Sequence, residues 1–227
     1  MKLYAISRIF VVLALLFTAS CGGSNGPTGP SVDLDDKVIT AFGNSITSGV
    51  GDSNYPSSAA GYPFRLEQLL KSSFPDVIVL NRGVAGEKTN EGEARLPAVL
   101  RRDDPDYVLI LEGVNDIQDS GVSDAGRIVK DLEAMVVEVK EYGAIPLIAS
   151  LIPTKGKWDW RNEVIVVLNP MIQTMALRQQ ITFVDQHAAF MSEPDYKALL
   201  SSDGLHPNDE GYSVMSQAWY EGMLTSL

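Results

Sequence analysis

The chain is short of the residues that bind metals and form cross-links. In 227 residues it has one cysteine, Cys21, and two histidines, His187 and His206. A single cysteine excludes intrachain disulfides, and with two histidines it makes no zinc set. Neither a metal nor an organic cofactor is expected. Positive charge is also scarce, with 18 Lys and Arg against 29 Asp and Glu. Such a surface repels nucleic acid and anionic lipid. The N-terminal apolar run IFVVLALLF, Ile9 to Phe17, is too short to be a membrane span. At ~1.5 Å per residue it crosses less than half of a ~30 Å hydrocarbon core. Internal repeats are absent.

What is present begins with a targeting pattern. Lys2 and Arg8 precede the apolar run, and TASCGG follows it. Residues 1–20 therefore read as a signal peptide. The placement of Cys21 resembles the lipobox of bacterial lipoproteins, which implies lipidation of Cys21, export, and a membrane anchor in the cell envelope. An ordinary secretory signal with an incidental cysteine is the alternative. GGSNGPTGPSV, residues 22–32, has too little apolar surface to fold and reads, with Cys21, as a flexible tether over 21–32. Loss of Lys2 and Arg8 would leave 16 basic and 29 acidic residues, a net charge of −13. Residues 33–227 then form one domain by length.

Within that domain, five short apolar runs predict buried parallel strands: VITAF (38–42), VIVL (77–80), YVLIL (107–111), IPLIASL (145–151) and ITFV (181–184). Helical patterns lie between them. The clearest runs from an N-cap at Ser123 to a stop at Gly143, with Ile128, Leu132, Met135, Val136 and Val139 on one stripe. Others are predicted from Tyr62 to Phe74, Glu91 to Arg101, Asn162 to Gln179, and from Asn208 to near the end. Pro170 should kink or interrupt the fourth of these five. Alternating strands and helices predict an α/β class fold, a three-layer α/β/α sandwich around a five-stranded parallel sheet.

In such sheets ligands sit beyond the carboxyl ends of the strands. Four polar blocks fall there: GNSITSG after the first strand, NRGVAGEKT after the second, EGVND after the third and SDGLHPND after the fifth. Ser45 needs a base to become a nucleophile, and His206 is the candidate. Asp203, three residues earlier, can hold the imidazole in one tautomer and stabilise its charged form.

These blocks, in this order, resemble the SGNH hydrolases, also called the GDSL family. NEGEARLPAVLRRDDPDYVLILEGVND is most similar to its lysophospholipase, thioesterase and arylesterase branch. The resemblance spans about Val38 to Tyr220 and implies a flavodoxin-like fold and a serine esterase with a Ser45–His206–Asp203 triad. It also implies an oxyanion hole made by the Ser45 N–H, the Gly86 N–H and the Asn115 side-chain amide. Each donor of that kind is worth ~3–4 kcal/mol in the transition state. The expected partner is a small-molecule or lipid ester. Asn44 stands where the family has Asp, which alters support of the loop and leaves the reaction unchanged.

Several alternatives remain at this level. Ser45 alone could be a turn or cap, Gly86 a turn glycine and Asn115 a cap. His187 is expected to be structural. Trp158 and Trp160 either wall the substrate site or cap the core. GVSDAG imitates a nucleophile elbow but has Ala125 at its last position, and GVAGEKT has the wrong spacing for a phosphate loop. An acyltransferase, an acetyl-esterase acting on carbohydrate, and a non-catalytic carbohydrate-binding lipoprotein remain open beside the esterase.

Overall fold

A computed structural model describes residues 33–117 and 124–225. The signal, Cys21 and tether expectations, and the Ser123 cap, lie outside the described residues.

All five expected strands form: β1 (Val38–Gly43), β2 (Ile78–Gly83), β3 (Tyr107–Leu111), β4 (Ile145–Ala149) and β5 (Thr182–Val184). They pair in parallel in the order β2-β1-β3-β4-β5. All five residues of β3 are buried, as its unbroken apolar sequence requires of a strand covered on both faces. β4 stops two residues early. The side-chain amide of Asn169 takes both the N–H and the carbonyl of Leu151, each at 2.9 Å, and draws the chain out of the ladder.

Seven α-helices complete the described fold: α1 (Ser45–Ser48), α2 (Gly61–Lys71), α3 (Thr89–Asp103), α4 (Ala125–Tyr142), α5 (Arg161–Gln179), α6 (Gln186–Met191) and α7 (Asp209–Leu224). The connection β1 to β2 steps one way along the sheet; the later ones step the other way. With right-handed crossovers this places α2 on one face and α3, α4 and α5 on the other. α7 packs on α2, where Trp219 stacks on Tyr62 with ring centroids 5.8 Å apart. The α4 stripe predicted from sequence is buried throughout, and Gly143 ends the helix in the left-handed conformation.

Pro170 does not interrupt α5, which runs continuously through it. The lost backbone bond would have gone to Val166, an exposed residue whose carbonyl can meet solvent. Ile165, Leu168, Ile172 and Met175 are buried on both sides of the proline. Their burial outweighs the ~3 kcal/mol that an interior proline costs.

β1 and β3 are neighbours whose following connections leave to opposite faces. The crevice at their carboxyl ends is the switch point of the sheet. Ser45 follows β1 and Asn115 follows β3.

Candidate active site

Ser45 is the first residue of α1. The turn that presents it is held by Asn44, whose Oδ1 accepts from the Ile46 N–H at 3.0 Å and whose Nδ2 donates to Glu112 Oε2 at 3.1 Å. Ser45 is nearly buried, at 6% exposed. A solvated turn serine would be accessible, so its burial favours a placed hydroxyl.

His206 and Asp203 come from the loop before α7. His206 Nε2 lies 2.8 Å from Ser45 Oγ, and His206 Nδ1 lies 2.6 Å from Asp203 Oδ2. With Nδ1–H donating to the carboxylate, Nε2 is left to accept the Ser45 proton. Asp203 Oδ1 accepts from Ser201 Oγ at 2.8 Å, Leu205 N–H at 2.8 Å and His206 N–H at 3.0 Å. Burial opposes its charge. The bonds from His206, Leu205 and Ser201 outweigh burial and hold the carboxyl well below the usual carboxylate range.

Two other contacts fix this loop. Lys155, beyond β4, donates its N–H to Gly204 O at 2.9 Å, and its Nζ to Lys197 O and Leu200 O at 2.8 Å each. From the Ser45 side, Gly51 packs directly on the loop. It has φ +95°, and a Cβ there would fall 2.4 Å from Pro207 O and 3.0 Å from His206 Cβ. Only glycine fits both the conformation and the approach.

Gly86, after β2, is exposed with φ +84°. Among the described residues, neither its N–H nor that of Ser45 has a hydrogen-bond partner. Asn115 lies in a single 3-10 turn, Val114–Asp116, and its Nδ2 donates to Glu87 O at 2.9 Å. One amide hydrogen is thereby committed, and among the described residues the second has no acceptor. The structure thus brings the sequence-predicted residues Ser45, Asp203 and His206 into one hydrogen-bonded relay. Gly86 and Asn115 stand beyond the ends of β2 and β3, on the same edge of the sheet.

His187 is not part of that relay. It lies on α6, half-buried, and burial holds its imidazole below the ordinary value. Trp158 and Trp160 are partly buried, and Trp160 packs against the core. The Arg161 guanidinium lies 4.4 Å and 5.4 Å from their ring centroids and donates to Val114 O at 3.0 Å, next to Asn115.

Sequence reasoning missed three supporting carboxylates. Asp116 is buried and accepts from Thr89 N–H at 2.9 Å, Thr89 Oγ1 at 2.7 Å and Arg127 Nη2 at 3.0 Å. It ties the start of α3 to the turn bearing Asn115. Its place directly after Asn115 was the available signal. Glu87 and Glu112 are also buried beside the site.

Residues 41–214 match the model of the GDSL-like Lipase/Acylhydrolase family. The chain belongs to that family and is a serine hydrolase acting on carboxylic esters. Among characterised relatives, an arylesterase of Vibrio mimicus is 29% identical over 164 residues, covering 68% of this chain and 78% of that one. An acetylxylan esterase of Geobacillus stearothermophilus is 26% identical over 187 residues, covering 74% and 83%. A crystal structure of an acetylxylan esterase from the same organism superposes with TM-score 0.70 at 20% identity, covering 83% of this chain and 94% of that one. A lipase/acylhydrolase from Enterococcus faecalis gives TM-score 0.68 at 24% identity, covering 82% and 94%. At these identities the superpositions establish the α/β/α sandwich alone.

Proposed function

We propose that this protein is an exported esterase that cleaves acyl or acetyl esters through Ser45, His206 and Asp203. The observation that carries the assignment is the relay of 2.6 Å and 2.8 Å contacts from Asp203 through His206 to Ser45. As Ser45 Oγ bonds to the ester carbonyl carbon, its proton passes to His206 Nε2. The carbonyl oxygen becomes an oxyanion within reach of the Ser45 N–H, the Gly86 N–H and the second hydrogen of Asn115 Nδ2. Collapse breaks the bond to the leaving alkoxide, which takes the proton from Nε2 and departs as an alcohol. Water then attacks the acyl-enzyme by the same route, giving a carboxylic acid and restoring Ser45.

Acetylated carbohydrate is the more specific second reading. One observation favours it: the relative 26% identical over 187 residues is an acetylxylan esterase. In this proposal residues 1–20 direct export, and Cys21 with the 21–32 tether holds the catalytic domain, 33–227, at a membrane of the cell envelope.

Purified protein assayed on p-nitrophenyl acetate, longer p-nitrophenyl esters and acetylated xylo-oligosaccharide tests these readings. Loss of all turnover in Ser45→Ala is the expected result, and unchanged turnover would refute the assignment. Acetate release from the oligosaccharide at a kcat/KM well above that for the aryl esters would select the carbohydrate reading. Radiolabelled palmitate incorporation, lost in Cys21→Ser, tests the anchor.

A further inference from the structure

Glu87 and Glu112 form a buried carboxyl pair beneath the site. They are 5% and 1% exposed, and the charge of Glu87 acts on Glu112. Among the described residues, one cation bonds to the pair. Arg95, stacked 4.0 Å over the Phe42 ring, gives Nε to Glu87 Oε1 at 2.6 Å and Nη2 to Glu87 Oε2 at 2.5 Å. Both charged bonds therefore go to Glu87. Glu112 Oε2 accepts from the neutral Asn44 amide at 3.1 Å and the Gly113 N–H at 3.3 Å. Glu112 Oε1 is buried and has no donor among the described residues.

Two ionised carboxylates with one guanidinium would leave an uncompensated negative charge in the interior, and Oε1 would remain desolvated and unbonded. One proton removes both defects. Placed on Glu112 Oε1, it turns the orphan acceptor into a donor toward Glu87, and the cluster of Arg95, Glu87 and Glu112 becomes neutral. Burial first, and the Glu87 charge second, push the Glu112 carboxyl well above the ordinary range.

The partners of the pair link it to the site. Glu112 holds Asn44, which caps the turn carrying Ser45. The Glu87 backbone carbonyl holds Asn115 Nδ2. We propose that Glu112 is a neutral acid sharing its proton with the Glu87 carboxylate, and that this pair is a strut fixing the nucleophile turn against the oxyanion loop. Both glutamates are positioning residues. Asn44 fits this arrangement in a way an aspartate would not, because it supplies a donor to Glu112 without adding a third carboxylate.

A pH dependence follows. For a carboxyl raised in the folded state, the stabilising neutral form is complete at and below its unfolded range, and is lost as pH rises through the folded value. Alkali therefore loads a second charge into the pair and loosens both loops. The charged and titratable groups facing Glu112 are Glu87, Arg95 through Glu87, and the buried Tyr62 phenol, which bonds Thr47 and is itself pushed up by burial.

Infrared spectroscopy in D2O, with kcat followed over the same pH range, tests the strut. The expected result is a protonated-carboxyl stretch at neutral pH in the wild type, missing from Glu112→Gln and fading with alkali where wild-type kcat falls. The amide introduced by Glu112→Gln donates to Glu87 and accepts from Asn44 at every pH, so the alkaline fall in kcat should disappear in that variant. Absence of the band at neutral pH overturns the shared proton. A band that persists while kcat falls, or an alkaline limb identical in Glu112→Gln, overturns the link to turnover. Should that variant not fold, the wild-type titration alone decides. The turnover arm rests on the proposed esterase reading. The infrared arm stands without it, so a protein inactive on every ester would sink that reading and leave the pair decided on its own.

Discussion

The backbone carbonyl of Glu87 receives one hydrogen of the Asn115 amide at 2.9 Å. That contact fixes the plane of the side chain, so the remaining hydrogen has one direction in which to point. An oxyanion donor needs this kind of advance alignment, because its contribution comes from not having to reorganise during the reaction.

Asn115→Ala should therefore lower kcat by ~100-fold or more while KM for small esters changes little. Asn115→Asp should be worse, since it replaces the donor with a negative charge facing the oxyanion. Steady-state kinetics on p-nitrophenyl acetate checks both. A fall below about threefold in the alanine variant would remove Asn115 from the proposed hole.

Asp203→Asn should keep the loop in place and reduce kcat by up to ~10⁴-fold, because an amide can hold the imidazole in the wrong tautomer. The pH dependence has a definite sign. A carboxyl depressed in the folded state adds stability above its unfolded range, near pH 4, and that contribution is lost as pH falls toward the folded value. Melting temperatures of wild type and Asp203→Asn should thus converge below about pH 4. A constant difference down to about pH 2 would show that the Asp203 charge adds nothing to stability.

Gly51→Ala puts a methyl group into Pro207 O and against His206 Cβ. The loop carrying His206 must shift. A displacement of ~1 Å at a reacting group can cost ~100-fold, so kcat should fall by about that factor with little change in substrate affinity. Fluorophosphonate labelling of Ser45 should slow in parallel. Labelling at the wild-type rate would mean that the loop tolerates the methyl.

Leu109→Ala removes a fully buried side chain from β3, which is flanked by β1 and β4. The cavity should cost ~2–5 kcal/mol, read as a lower urea midpoint with an unchanged slope. A loss below ~1 kcal/mol would mean that the core collapses around the gap.

Much of this architecture was legible because it is local. YVLIL marks β3 to the residue, and the α4 stripe buries as its spacing requires. The Ser45, Asp203 and His206 relay was legible because Ser45 follows β1 directly and the Asp203–His206 block lies beyond β5, so that topology gathers side chains from distant parts of the chain at one edge of the sheet. Other features were hidden because they depend on what the fold brings near. Asn169 ends β4 from another helix, and solvent access at Val166 lets α5 continue through Pro170. α6 has six residues, too few for a helical period to declare itself. Nothing in the spacing of Glu87 and Glu112 reveals that they meet.

The Ser45 to His206 contact bridges 161 positions of sequence. A ribosome-bound fragment ending before the His206 loop would carry the proposed hydroxyl and amide donors, yet lack the proposed base. In the proposed mechanism, ester cleavage becomes possible only once that loop has been made and has folded back onto α1.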